Sequence, residues 1–258
     1  MPNGLYRAAV AEAAIDIYCD AFVARQRHEL DSEPVVLIGP GVRGVALIRL
    51  LVADDSGFDR LVEEANARRG VLYVFEQASR CNEFLCGQPG WRAGRSERAM
   101  VLGNVRAATV APLPDGLDAR PVHRVASEAP DAVPVQDAAA VAVMSDPGIT
   151  DSADDVAGFL SGLPSSVRLF AAVDETGVAR ATSACHVFGE YTQVFFVNTE
   201  PAWRRRGIGR AMTLEALRAA ASLGARRAFL HATNDGASVY KGVGFEDVGL
   251  LTRYSYAD

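Results

Sequence analysis

Val194-Phe195-Phe196-Val197-Asn198-Thr199-Glu200-Pro201-Ala202-Trp203-Arg204-Arg205-Arg206-Gly207-Ile208-Gly209-Arg210-Ala211 carries three structural signals in immediate succession. A β-branched and aromatic run predicts a strand, an Arg/Gly loop follows, and the loop opens an alanine- and leucine-rich helix reaching Leu223 and ended by Gly224. A helix start exposes main-chain N–H groups and the positive end of the helix dipole. Gly207 and Gly209 remove side chains from that place, so a diphosphate can approach the amides closely. Arg204, Arg205 and Arg206 add charge beside it. The physical reading is a cradle for a pyrophosphate; the plainer alternative is a helix start with a solvated arginine cluster.

A second segment lies downstream: Asn234-Asp235-Gly236-Ala237-Ser238-Val239-Tyr240-Lys241-Gly242-Val243-Gly244-Phe245. Together the two segments resemble the GNAT superfamily of N-acetyltransferases, which pairs a Q/R-x-x-G-x-G/A loop with a later N-x-x-A-x-x-x-Y-x-x-x-G-F segment. Arg204-x-x-Gly207-x-Gly209 fits the first pattern. Asn234-x-x-Ala237-x-x-Tyr240, then Gly244-Phe245, fits the second with one residue fewer between alanine and tyrosine. The resemblance covers roughly residues 119–258.

The resemblance implies acetyl-CoA as acyl donor. It implies that the main-chain amides of Arg205, Arg206, Gly207, Ile208, Gly209 and Arg210 hold the pyrophosphate. The edge formed by Phe196, Val197, Asn198 and Thr199 would bond the pantetheine arm as an added strand. Asn234 would contact that arm, with Ala237 beside it. Tyr240 would protonate the departing thiolate, since an unperturbed phenol, with a pKa near ~10, is protonated at neutral pH. The implied reaction is direct attack of a neutral amine on the thioester carbonyl in a ternary complex, with a strand N–H polarising the oxygen. A base must take a proton from the amine. The candidates are Glu190, His186, His231 and Asp235, and Glu190 is placed with Tyr240 in the catalytic set. Each also has an ordinary structural reading: Glu190 as a turn residue, His231 as a hydrogen-bonded strand histidine, Asp235 as a helix cap and His186 as a solvent-facing side chain.

The elements around these segments predict an α+β chain. In the second half, helices are expected near 135–144 and 153–160, the latter capped by Asp151 or Ser152. Three antiparallel strands should follow at 167–173, 178–187 and 191–199, and then a strand at 226–232, a short helix at 236–242 and a last strand at 245–254. In the first half, the pattern predicts a helix over 8–30, strands at 35–38 and 45–52, a helix at 58–69, a strand at 71–75, a short helix at 81–86 and a strand at 98–102. Five prolines between Ala111 and Pro134 mark the connection, with room for a strand near 121–125. We therefore divide the chain into 1–118 and 119–258.

The order helix, strand, short helix, Gly90-Trp91, strand repeats the later order ending in Gly244-Phe245. This suggests two GNAT-like mixed-sheet domains in tandem, the C-terminal one complete and the N-terminal one degenerate. The competing reading is an unrelated α/β module. Alignment sets Cys86 opposite Tyr240 and Arg80 opposite Asn234. The loop Asp54-Asp55-Ser56-Gly57 is acidic and cannot cradle a pyrophosphate. Gly39-Pro40-Gly41-Val42-Arg43-Gly44 matches a dinucleotide fingerprint but precedes the strand-like Val45 to Val52, so we read it as a hairpin turn.

Composition narrows the partners. A net charge of −6 argues against tracking a nucleic-acid backbone and suits a cationic amine or peptide acceptor. Cys19, Cys81, Cys86 and Cys185 lack metal-ligand spacing, so no metal is expected. The sequence shows no signal peptide and no apolar run of membrane-spanning length, which predicts a cytoplasmic protein away from membranes, as a monomer or homodimer.

Overall fold

The computed structural model describes residues 35–40, 46–52, 55–67, 71–108, 111–123, 131–146, 149, 151–163 and 167–256. The predicted helix over 8–30 and Cys19 lie outside them. The chain forms two compact units. The first comprises the described residues within Met1–Val101, with His231–Ala237 and Glu246–Asp258; the second comprises those within Leu102–Leu230 and Ser238–Phe245. The units thus draw on the sequence differently from a single cut at 118/119.

In the first unit β1 (Val35–Pro40) and β2 (Ala46–Val52) pair antiparallel, from Val35↔Leu51 to Pro40↔Ala46. Gly39 and Pro40 are therefore strand residues, and the glycine-rich segment joins two strands instead of opening a helix. β2 runs parallel to β3 (Val71–Phe75), and α1 (Phe58–Ala67) forms the crossover. Leu61 and Ala65 of α1, four residues apart, share a buried core with Leu72, Val74, Trp91, Tyr254 and two residues of α2 (Ser79–Gly87), Cys81 and Leu85. Asp55 caps α2 by accepting from the Cys81 N–H at 3.2 Å and the Ser79 hydroxyl at 3.2 Å.

β4 (Trp91–Leu102) is longer than the predicted 98–102. Arg92 to Arg95 are exposed and carry no apolar alternation, yet the strand is held by pairing from Trp91↔Tyr256 to Val101↔Glu246. That partner is β11 (Glu246–Tyr256), which also pairs with β3, so the last strand of the chain sits between β3 and β4 in the first unit's sheet, ordered β1-β2-β3-β11-β4. Tyr254 of β11 is buried, donates to Asn82 Oδ1 at 2.8 Å, and its phenol is pushed above its ordinary pKa by that burial.

The second unit's strands run in the order β10-β9-β8-β7-β5-β6. β7 (Val167–Asp174), β8 (Ala179–Phe188) and β9 (Tyr191–Thr199) form the predicted antiparallel meander, and β10 (Arg227–Ala232) is parallel to β9. β5 (Leu117–His123) lies within the proline-rich stretch and pairs with β7 from Leu117↔Asp174 to Pro121↔Phe170. The two-residue β6 (Val133–Pro134) covers only its end, so Pro121 occupies a strand position where a missing donor is tolerated.

The two faces of this sheet are separated by strand alternation. Val167, Leu169, Ala171 and Val173 pack with Ala138, Val141 and Leu160 of α3 (Val135–Ser145) and α4 (Ala153–Ser161). Ala172 and Ala181 face Ile208 and Met212 of α5 (Ile208–Ser222). Ser152 caps α4, accepting from the Asp155 N–H and donating to its carboxylate. Among the described residues no helix is long and apolar enough to cross a membrane.

The turn between β7 and β8 is built on Asp174. Its carboxylate accepts from the Thr176 hydroxyl at 2.6 Å, the amides of Thr176 and Val178 at 3.0 Å each, and Arg180 Nε at 2.8 Å. Those donors hold the Asp174 carboxyl far below the ordinary carboxylate range, the Thr176 hydroxyl foremost. A depressed folded-state pKa means that the unfolded chain binds the proton first. The stabilisation is therefore full above the unfolded pKa near ~4 and declines as pH falls through the acid range. Asp174→Asn should be less stable than the parent at neutral pH, with the gap narrowing below about pH 4. Thermal unfolding followed by circular dichroism at stepped pH checks this; a gap that stays constant to about pH 2 excludes Asp174 as an acid-sensitive support.

Candidate functional site

The exit of β9 and the start of α5 are joined by a short, fastened loop. Arg180 ties the Asp174 turn to Glu200, with Nη1 at 2.8 Å from Oε2, and the Glu200 N–H returns to the Arg180 carbonyl at 2.9 Å. Pro201–Trp203 make one 3₁₀ turn, closed by the Trp203 N–H on the Glu200 carbonyl at 2.8 Å. Arg205 (φ 63°) and Gly207 (φ 82°) then both adopt the left-handed region. Backbone that alternates in this way turns successive N–H groups toward one concavity and binds anions. The strain at a non-glycine residue such as Arg205 is typical of sites held by their surroundings.

Gly207 is the N-cap of α5 and supplies no side-chain cap. The first α5 amide with an intrahelical acceptor is that of Ala211, on the Gly207 carbonyl at 3.0 Å. The amides of Ile208, Gly209 and Arg210 thus open the helix without an intrahelical partner. A Cβ built on Gly207 meets nothing within 4 Å, and one on Gly209 meets only Thr199 Oγ1 at 3.8 Å. The space over both glycines is open, as close approach by a phosphate requires.

The three loop arginines divide by role, which the sequence reading did not separate. Arg204 is bonded to main chain: Nε donates to the Thr199 carbonyl at 3.1 Å and Nη2 to the Ser145 carbonyl at the end of α3. Arg206 lies with its guanidinium 4.8 Å from the Trp203 ring centroid and donates to the Ala202 carbonyl. Arg205 and, on the first turn of α5, Arg210 are exposed and have no ion-pair partner among the described residues. The exposed positive charge at the cradle that is in no ion pair among the described residues therefore comes from Arg205 and Arg210.

The edge formed by Phe196, Val197, Asn198 and Thr199 is shaped by two features. First, β9 and β10 pair only over Tyr191–Gln193 and Arg227–Phe229 among the described residues, so β9 from Val194 to Thr199 lacks a β10 partner and keeps an open edge. Second, Ser183 alone on β8 faces both Phe196 and Val197, between the pairs Thr182↔Asn198 and Ala184↔Phe195. This is a β-bulge, with Phe196 at φ 55° and its carbonyl held by Thr182 Oγ1 at 2.9 Å. A bulge redirects main-chain groups at one point of an otherwise regular edge. No local sequence signal marks it, since it arises from a difference in residue count between two strands.

Tyr240 lies on α6 (Ala237–Val243) and is half-buried, its ring edge-on to Phe245 with centroids 6.0 Å apart. The Tyr240 carbonyl accepts from the Gly244 and Phe245 amides at 3.1 and 3.0 Å, and Gly244 (φ 108°) allows the chain to turn there. This closure fixes Tyr240 to the Gly-Phe pair of its motif. Asn234 is exposed in the turn ahead of α6, and Ala237 opens that helix with its N–H on the Thr233 carbonyl.

The four base candidates are scattered. Glu190 sits in the turn before β9, with Oε1 2.8 Å from Arg227 Nη1. At about 3.3 Å per residue it stands roughly 25–30 Å along β9 from Thr199, at the end of the strand remote from the cradle. Its ion pair and position make it a turn residue and remove it from the catalytic set expected with Tyr240. His186 is buried on β8, not exposed to solvent. Asp235 is exposed in the turn before α6. His231, on β10, has Nδ1 3.9 Å from Glu97 Oε2 and its ring 5.6 Å from that of Tyr73, both residues of its own unit. Among the described residues no cluster of His, Cys, Asp and Glu could hold a metal ion.

Residues 165–247 match a family model described as acetyltransferase (GNAT) domain. This segment is a GNAT domain. Its match takes in β7 to β10, the cradle, α5 and α6, and it supports an acyltransferase. The fold is similar to that of a GCN5-related N-acetyltransferase from Kribbella flavida, at 18% identity and a TM-score of 0.60, over 99% of this chain and 96% of that one. It is also similar to a GCN5-related N-acetyltransferase from Sphaerobacter thermophilus, at 16% identity and a TM-score of 0.54, over 97% and 90%. A tandem GNAT protein from the clavulanic acid biosynthesis pathway is similar at 14% identity and a TM-score of 0.52, over 81% and 76%. At these identities the likeness is one of fold, α+β with a mixed sheet. No curated protein matches the chain.

The split among the arginines of the GNAT loop has a measurable consequence. Arg204→Ala removes two charge-assisted bonds to carbonyls and should lower stability by about 1–2 kcal/mol in urea unfolding. Arg205→Ala, which breaks no internal bond, should stay within about 0.5 kcal/mol of the parent. Equal losses would contradict the assignment of Arg204 as the staple.

Proposed function

We propose that the chain is an acyl-CoA-dependent N-acetyltransferase acting on a small-molecule amine or peptide acceptor. The observation that carries this reading is the open amide cradle at Gly207–Arg210, set at the end of a strand whose edge is free from Val194 to Thr199. Acetyl-CoA supplies the acyl group as a thioester. The amides from Arg205 to Arg210 bind its pyrophosphate, with Arg205 and Arg210 adding charge. The free edge from Phe196 to Thr199 bonds the pantetheine arm.

The bulge at Phe196 offers main-chain N–H to the carbonyl oxygen as negative charge develops there. Tyr240 gives its phenolic proton to the leaving sulfur, so the thiol departs neutral; the amine nitrogen takes the acyl group, and the proton it gives up passes through water to the Tyr240 phenolate and restores it. Glu190 has no part in that step. The net charge of −6 favours a cationic acceptor, for which substrate approach is electrostatically assisted.

We also read the first unit as a degenerate copy of the same fold. Gly90 (φ 83°) and Gly244 (φ 108°) each follow a short helix and precede a strand. In the first copy the acidic loop has been turned to capping α2 through Asp55.

Thiol release from acetyl-CoA should be detected with at least one member of an amine and peptide panel. Tyr240→Phe should lower kcat about 100-fold or more while the Kd for coenzyme A, from calorimetry, changes less than about threefold. Tight association without release on any acceptor would make the chain an acyl-CoA sensor or scaffold. Failure of coenzyme A to bind would remove the basis of the reading.

A further inference from the structure

At the opposite end of β9 from the cradle lies an open depression of about 390 Å³ lined by Gly103, Asn104, Arg106, Glu190, Arg226 and Arg227. Three arginines and one glutamate are among the residues that line it, in a chain whose formal charge is −6. The carboxylate is already matched: Glu190 Oε1 is 2.8 Å from Arg227 Nη1, and the same nitrogen reaches the Tyr191 hydroxyl at 3.2 Å. Arg106 and Arg226 are exposed and have no ion-pair partner among the described residues.

The frame that brings these arginines together is rigid main chain. The Glu190 carbonyl accepts from the amides of Arg226 and Arg227 at 2.7 and 3.1 Å, the Arg226 carbonyl accepts from the Val105 N–H at 2.8 Å, and Asn104 Oδ1 accepts from the Arg106 N–H at 3.1 Å. Three separate segments are thus fastened around one concavity. Glu190 is matched by Arg227, which leaves Arg106 and Arg226 as like charges lining one depression, and an anion relieves the repulsion between such charges. Planar, always-charged arginine forks match carboxylate and phosphate oxygens in pairs.

We propose that this depression is a second ligand site, distinct from the acyl-donor cradle, which binds a small multivalent oxyanion: a phosphate ester or a di- or tricarboxylate held between Arg106 and Arg226. Its volume accommodates a molecule larger than a single inorganic phosphate. Arg227 is a positioning residue there, fixed by Glu190 and Tyr191.

Isothermal titration of the full chain with citrate and with inorganic pyrophosphate, at low salt and with coenzyme A present in excess, tests the site. Saturable one-to-one binding of at least one probe is expected. It should weaken roughly tenfold or more in Arg106→Ala/Arg226→Ala. Arg205→Ala, at the cradle, should leave it within about twofold. Citrate alone binding identifies a carboxylate ligand, and pyrophosphate alone a phosphate ligand. Both arginines are exposed, and an unchanged circular dichroism spectrum shows that the variant folds; Arg106→Gln/Arg226→Gln replaces it if not. Absence of saturable binding by either probe up to about 10 mM, or equal binding by parent and double variant, overturns the proposal. The readout does not depend on acyl transfer. If the chain proved unable to bind coenzyme A, the double variant would still report on this site alone.

Discussion

The parallel register of β9 and β10 is the constraint from which the candidate site follows. The two strands share three paired positions, Tyr191 to Gln193 against Arg227 to Phe229, and β9 then continues for six residues without a β10 partner. An unpaired strand edge is ordinarily a liability, since it exposes N–H and C=O groups to any passing chain. Here the edge is interrupted by a bulge at Phe196, which is tied down through Thr182, and it ends at once in the amide cradle. Edge, bulge and cradle are consecutive features of one segment of about fifteen residues. A ligand with an extended polar arm and a diphosphate head meets donors in the same order along that segment.

Rigidity at the cradle comes from outside the motif that identifies it. Arg180, on β8, is bonded to Asp174 on one side and Glu200 on the other, which fixes the exit of β9. Arg204 joins the Thr199 and Ser145 carbonyls, so the loop is also referred to the end of α3. These contacts hold Arg205 in the left-handed region, where a non-glycine residue is strained. They allow Gly207 and Gly209 to remain bare. An anion site built from main-chain amides needs such external fastening, because the amides have no rotamers with which to compensate for a displaced loop.

What could be read from the sequence was local. Gly207 and Gly209 after a β-branched run announce a strand, a turn and a helix start because each residue type has a strong preference at its own position. The meander from Val167 to Thr199 was legible for the same reason, through apolar alternation and the turn at Asp174 to Gly177. What stayed hidden depends on partners distant in sequence. The bulge at Phe196 reflects one residue on β8 against two on β9. The length of β4 reflects pairing with a strand some 150 residues later, as in Arg98 with Asp247 and Ser96 with Thr252. Glu190 looked available at the start of a central strand, and only the parallel partner β10 brings Arg227 to it. Arg204 carried the motif's charge on paper but spends it on two carbonyls.

The position of β11 shows how far such distant pairing governs the fold. The first unit's strands β3 and β4 are contiguous in sequence apart from one short helix, and they do not pair with each other where β11 intervenes. Leu251 and Tyr254, from the end of the chain, lie fully or almost fully buried in that sheet, and Tyr254 completes the hydrogen bonding of Asn82. Asn82 in turn donates to the Phe75 and Ala78 carbonyls at the exit of β3. Without β11, this half-buried amide would lose its acceptor-side partner, and β3 and β4 would each present an unpaired edge. The first unit therefore cannot reach its native core until β11 has joined β3 and β4. Contacts of such sequence separation are the slow ones to form, because the closure entropy comes before the reward. The stability of the first unit's sheet is in this sense encoded in β11, immediately after the Gly244-Phe245 pair that closes α6.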